Sequence, residues 1–230
     1  MQGTKSVSGG EAGVAVTDDP DMLDRMILLG HFGRPRQGGL EIVNTIGATS
    51  LGAKYRPHLW AVAMANEGLK RLPELNQKRT ANYEFLNDQL RGCPGLEVID
   101  ALPGATRGGY LEYKFKLTSA AVQAASRERI VEAMAAEGAP VTADRYSDLN
   151  FTYGLLHAAP LFATVDRRQL GGCFYDPTRP DPTVKPELPV AEDLNQRLIT
   201  LPGFIDVPRE SLAEVAVAMR KVMAALDRLA

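Results

Sequence analysis

The first residue able to do chemistry is Lys5, set in the run Lys5-Ser6-Val7-Ser8-Gly9-Gly10-Glu11-Ala12-Gly13. A lysine amine that is neutral part of the time attacks an aldehyde and forms a Schiff base. Burial or a neighbouring cation brings a lysine toward that state. Gly3, Ser6, Ser8, Gly9 and Gly10 leave room for a planar group and let backbone donors approach it. The cofactor usually held this way is pyridoxal phosphate, whose ring accepts electrons while the protein orients the reacting bonds. Taken alone, however, a lysine beside glycines is more often a solvated turn residue.

Other chemistry-bearing residues are sparse. His31, His58 and His157 are too far apart for metal-ligand spacing, and Cys93 and Cys173 form no CxxC pair. No metal site is expected. Both cysteines read as reduced thiols of a cytoplasmic protein, although the sequence leaves a disulfide between them open. The formal net charge of −2 points to no nucleic-acid partner. No run of about 18 apolar residues is present, so no membrane span is expected. At 45% apolar and 23% charged residues, the 230-residue chain has an ordinary globular composition and the length for a substantial core.

The elements that must position Lys5 follow from patterning. Val14-Ala15-Val16-Thr17 reads as a short buried strand. Asp19 and Pro20 then suit the N-cap and first position of a helix, with Met22, Leu23, Met26, Ile27 and Leu29 apolar and Gly30 as the stop. Residues 31–50, with Gly33, Gly38, Gly39, Gly47 and Pro35, read as an irregular excursion. Pro57 opens a second helix with a stripe of Leu59, Val62, Ala65, Leu69 and Leu72. After Pro73 a third runs from Glu74 to about Arg91, ended by Gly92 and Pro94. Trp60 and Tyr83, at helical spacing, are expected in the core.

From Gly95 the pattern becomes strand, strand, helix, strand: residues 96–99, an alternating run over 110–117, a helix from Arg127 to Glu137 closed by Gly138, and strand-like 140–142. Residues 146–186 read as a long loop, rich in proline from Pro160 onward, of the kind that is more often functional or interfacial than filler. A short helix to about Ile199 and an amphipathic helix from Ser211 to Leu229 complete the chain. The domain boundary is expected near residues 45–55.

The run from Lys5 to Gly13 resembles the cofactor-lysine motif of the DegT/DnrJ/StrS aminotransferases, S-F-x-x-x-K-x-[L/M/V]-[S/T]-x-G-E-G-G, with Ala12 in place of one glycine and Met1 in place of the phenylalanine. The likeness continues through "GVAVTDDPDMLDRMILLGHFGR", "LGAKYRPHLWAVAMANEGLKRLPELNQKR", "LLHAAPLF" and "LPVAEDLNQRLITLPGF", in the family's order.

The resemblance implies an α/β fold, the C-terminal portion of a fold-type I pyridoxal-phosphate-dependent transferase. Residues 1–50 would be a remnant of the large cofactor-binding domain. Residues 51–230 would be the small C-terminal domain with bridging helices and a mostly antiparallel sheet. It further implies that Lys5 binds pyridoxal 5′-phosphate and shuttles the proton during transamination, with Glu11 and Ser8 holding the turn. Arg56, in the "YR" pair, would reach a partner subunit's cofactor phosphate in a homodimer. His31 and His157 would line the substrate site, each being equally readable as a helix-end or packing residue. The amino donor would be glutamate or glutamine and the acceptor a keto group on a nucleotide-linked sugar or a cyclitol. Sugar dehydratases of the family carry histidine at the lysine position. Its phosphate turn, stacking group and ring-nitrogen aspartate lie N-terminal to the lysine, so the chain is expected to be truncated and poorly active alone. The alternative is a non-catalytic interaction subunit that keeps the family's dimer face.

Overall fold

The computed structural model describes residues 1–30, 52–105, 111–144, 155–159 and 187–229. Two compact units divide the chain between Leu75 and Asn76.

In the first unit, helix α1 spans Pro20–Gly30. Its start is the one the sequence calls for: Asp19 Oδ1 accepts from the Asp21 and Met22 N–H groups at 2.9 and 3.2 Å. Asp19 thereby satisfies two of the donors that a helix N-terminus leaves over. The residue α1 buries is Leu28, whereas Met22, Leu23 and Leu29 are exposed. The strand expected at residues 14–17 does not form, and Val16 is 87% exposed. An extended segment without a ladder neighbour has no hydrogen bonds to make it a strand, and none of the four described strands lies in this unit.

Helix α2 spans Leu59–Leu90 without interruption, with Pro73 inside it. The break expected at Pro73 is therefore absent. Proline removes one N–H from the ladder and crowds the preceding turn, yet each half of α2 is anchored by burial in its own unit. Ala61 and Ala65 are buried on one side of Pro73, and Tyr83, Leu86 and Leu90 on the other. The expected apolar stripe and the core placement of Trp60 are also corrected. Leu59, Val62 and Leu69 are exposed, Trp60 is 74% exposed, and the buried face is the one bearing Ala61 and Ala65.

The second unit is built on a four-stranded antiparallel sheet in the order β1-β2-β4-β3: β1 Leu96–Val98, β2 Glu112–Leu117, β3 Thr142–Ala143 and β4 Leu198–Pro202. Residues of β2 alternate strictly, and Tyr113, Phe115 and Leu117 are fully buried. β4 lies where the sequence reading extended a helix to Ile199; helix α5, Pro189–Arg197, stops just before it. Ile199 and Leu201 face the core, with Phe115 opposite Ile199 and Tyr113 opposite Leu201. Helices α3, Ser119–Ala124, and α4, Arg127–Ala136, are capped by the hydroxyls of Thr118 and Ser126. Helix α6, Arg209–Met223, buries Leu212, Met219 and Val222, and ends in a 3₁₀ turn at Leu226–Arg228 rather than continuing to Leu229. The mixed α/β architecture with a small antiparallel sheet is the class expected from the sequence.

Candidate active site

In the first unit, residues 1–10 fold back on themselves. Lys5 N–H donates to the Gln2 carbonyl and Gly9 N–H to the Met1 carbonyl, each at 3.0 Å. Ser8 Oγ accepts from Gly10 N–H at 3.2 Å, a local bond of the kind serine offers in turns. Gly10 has φ of +76°, a conformation that side-chain-bearing residues rarely adopt.

The seat of this turn is α2. A Cβ added to Gly9 would lie 2.8 Å from the Ala61 carbonyl oxygen and 3.3 Å from the Ala12 Cβ. About two turns further along, a Cβ on Gly68 would meet Val7 Cγ1 at 3.5 Å. Approach this close admits only small residues, which is why Ala61, Ala65 and Gly68 form the covered face and the larger apolar residues are turned away. Gly9→Ala is accordingly expected to lift the turn from the helix at a cost of about 1–3 kcal/mol. Faster amide exchange of Gly9 N–H would register the change, and unchanged exchange would refute it.

Lys5 is exposed at the outside of the turn, and among the described residues its amine has no ion-pair partner. Arg56 is exposed as well and lines a cavity of about 870 Å³ bounded by Glu11, Leu23, Met26, Ile27 and Lys54. Lys5 does not line that cavity. The structure thus places Arg56 and Glu11 on one cavity and Lys5 on the neighbouring turn. His31 lies outside the described residues.

His157 belongs to the second unit. It sits in a 3₁₀ turn at Leu156–Ala158, with its side chain only 9% exposed and Nε2 2.8 Å from Glu192 Oε1. Glu192 was not singled out from the sequence. The available signal was its place four residues after Leu188, whose N–H donates to the same oxygen at 3.3 Å. Lys54, on the cavity wall, was missed in the same way.

Cys93 is a free, buried thiol; burial pushes its pKa up, and the nearby Arg220 only partly opposes this. It is therefore a packing residue rather than a nucleophile. Cys173 lies outside the described residues. Among the described residues no cluster of three or more His, Cys, Asp or Glu side chains could hold a metal, and no helix is long and apolar enough to cross a membrane.

Comparison with known proteins adds to this geometry. Residues 1–171 match the family model described as the DegT/DnrJ/EryC1/StrS aminotransferase family. The chain is 31% identical to L-glutamine:2-deoxy-scyllo-inosose aminotransferase of Streptoalloteichus tenebrarius, over 97% of this chain and 52% of that protein. It is 27% identical to L-glutamine:scyllo-inosose aminotransferase of Streptomyces griseus, again over 97% and 52%. Among solved structures, DesI in the presence of its TDP-sugar product shares the fold, with a TM-score of 0.65 and 22% identity over 98% of this chain and 48% of that one. The chain spans about half the length of the curated relatives it matches.

Proposed function

From a chain that belongs to the DegT/DnrJ/EryC1/StrS aminotransferase family, we propose that Lys5 is the reacting amine of a pyridoxal-phosphate-dependent aminotransferase. The reaction moves an amino group from glutamine or glutamate to a keto group on a cyclitol or a nucleotide-linked sugar. The observation that carries this reading is the Lys5–Gly13 motif inside the family match, on a turn whose Gly9 sits against the backbone of α2. The names of the two inosose aminotransferases support glutamine as donor and a cyclitol ketone as acceptor. In this reading residues 1–50 form a remnant of the large domain and residues 51–230 the small domain with bridging helices. The working protein is a cytoplasmic homodimer.

The residues present fit the cofactor. Lys5 offers an amine to an aldehyde, the glycines beside it leave room for a ring, and Arg56 offers a guanidinium with no ion-pair partner among the described residues. When bound, pyridoxal phosphate supplies the electron-withdrawing ring that weakens the C–H bond beside the transferred amine. Lys5 Nζ would hold the cofactor through its aldehyde and, when its amine is free, would take the proton from the donor's carbon and deliver it to the cofactor. The bond between Ser8 Oγ and Gly10 N–H fixes the turn that aims Nζ. Arg56 holds the phosphate of the partner subunit's cofactor, its permanent charge and paired donors suiting a tetrahedral anion. His31 and His157 line the sugar or cyclitol site.

A second reading, a non-catalytic subunit that keeps a dimer face, draws on the exposed Leu59, Trp60 and Met64 of α2. One experiment separates the two. The chain is incubated with pyridoxal phosphate, reduced with borohydride and mapped by peptide mass. The label is expected on Lys5 well above Lys54, Lys70 and Lys221, and its excess is expected to disappear in Lys5→Ala. Label spread evenly over the exposed lysines would overturn the catalytic reading.

A further inference from the structure

We propose that Glu192 is a positioning residue for His157, and that its carboxylate selects which imidazole nitrogen can meet a ligand. This rests on the reading that His157 lines the substrate site. Its structural basis is one oxygen shared by two elements. Glu192 Oε1 is 2.8 Å from His157 Nε2 and 3.3 Å from the Leu188 N–H at the start of α5. The second bond resembles a capping box, in which an acidic side chain in the first turn reaches back to the N-cap N–H. The carboxylate is thus fixed to its own helix end, and the imidazole is fixed to the carboxylate.

Two consequences follow from chemistry. A carboxylate only accepts, so the hydrogen between it and the ring belongs to Nε2. Neutral His157 is therefore the Nε2–H tautomer, and any bond from the ring to a ligand passes through Nδ1, which is an acceptor in that state. An acceptor suits a hydroxyl of a polyhydroxylated acceptor, since the hydroxyl donates. The ring is 9% exposed and its charged partner 41% exposed, so the bond is charge-assisted while the carboxylate still meets water. A second-tier carboxylate that fixes a histidine tautomer has the same logic wherever one ring nitrogen must be kept for a specific task.

The test reads the ring directly and needs neither cofactor nor turnover. The chain is labelled with nitrogen-15 histidine, His157 is assigned with His157→Gln, and long-range proton–nitrogen spectra are recorded above the imidazole titration range. The expected result is a single Nε2–H form whose ring proton is protected enough from exchange to be seen. Glu192→Gln, which keeps an acceptor oxygen, should retain that signal. Glu192→Ala should lose it and show the tautomer mixture of a free imidazole. An Nδ1–H form in the unmodified chain overturns the proposal whatever the variants do. So does an unchanged His157 spectrum in a folded Glu192→Ala chain. Failure here leaves the labelling of Lys5 untouched, and failure of that labelling leaves the tautomer result standing, so the two readings fall separately.

Discussion

Phe115→Ala is expected to lower the unfolding free energy by about 3–5 kcal/mol, the range for truncating a fully buried aromatic ring. Phe115 occupies the middle of β2, with Val98 of β1 opposite on one side and Ile199 of β4 on the other. Its ring lies nearly parallel to that of Tyr83, with centroids 6.2 Å apart and an interplanar angle of 8°. Tyr83 also touches the ring of Tyr113 at 4.8 Å, so the substitution opens a void beside a linked aromatic group on α2 and β2. Small domains have only about 5–15 kcal/mol to lose. A urea titration followed by far-ultraviolet circular dichroism should show the midpoint falling steeply with an unchanged slope. A shift comparable with that of a surface substitution would mean that Phe115 is not at the centre of the core.

The next residue along the strand gives the second large effect, for an electrostatic reason. Lys114 points to the other face of β2, and its Nζ is 2.7 Å from Asp144 Oδ1 and 3.4 Å from Glu112 Oε2. The Asp144 side chain is 5% exposed, while that of Lys114 is 32% exposed. Lys114→Met keeps the apolar stem but removes a cation from beside a buried carboxylate and brings two acidic groups together without it. Breaking a buried pair costs about 3–5 kcal/mol; the partial exposure of Lys114 reduces the expected loss to about 2–3 kcal/mol. Lys116→Met, which removes the partner of a carboxylate, Glu97, that is 43% exposed, serves as the control and should cost about 0–1 kcal/mol. Added salt should change the Lys114→Met deficit little, because a shielded pair is weakly screened. Equal losses in the two variants would show that Asp144 does not depend on Lys114.

These residues also show which parts of the fold were legible before the structure. The alternation of β2 was readable because one of its faces is buried and the other is not, a difference that acts residue by residue. The start of α1 was readable for a similar reason, since Asp19 and Pro20 act within one turn. Pro73 misled because its local effect is to stop a helix, while α2 is held on both sides of it by burial. β4 was missed because Leu198 to Pro202 becomes a strand only by lying between β2 and β3, which come from elsewhere in the sequence. Trp60 misled in the opposite direction: its helical spacing suggested a core residue, but the covered face of α2 accepts only residues the size of Ala61 and Gly68. At the site, the Lys5 turn could be found from its residue pattern. Glu192 offered only its place four residues after Leu188, because its other contact is with a turn far away along the chain.

The position of β4 inside the sheet has a consequence for how the molecule is made. The sheet's longest ladder joins Tyr113 to Leu201 and Phe115 to Ile199, segments separated by much of the second unit. The entropy of gathering the intervening chain is lost before those pairs return anything, which slows folding of non-local topologies. The β1–β2 pair and the neighbouring end of α2 are local and can assemble early. During synthesis, however, the inner edge of β2 waits with its apolar face half covered until residue 202 has emerged. That interval is when an unpaired strand is open to the wrong neighbour or to a chaperone. The arrival of the second-longest strand therefore closes the interval in which β2 is exposed.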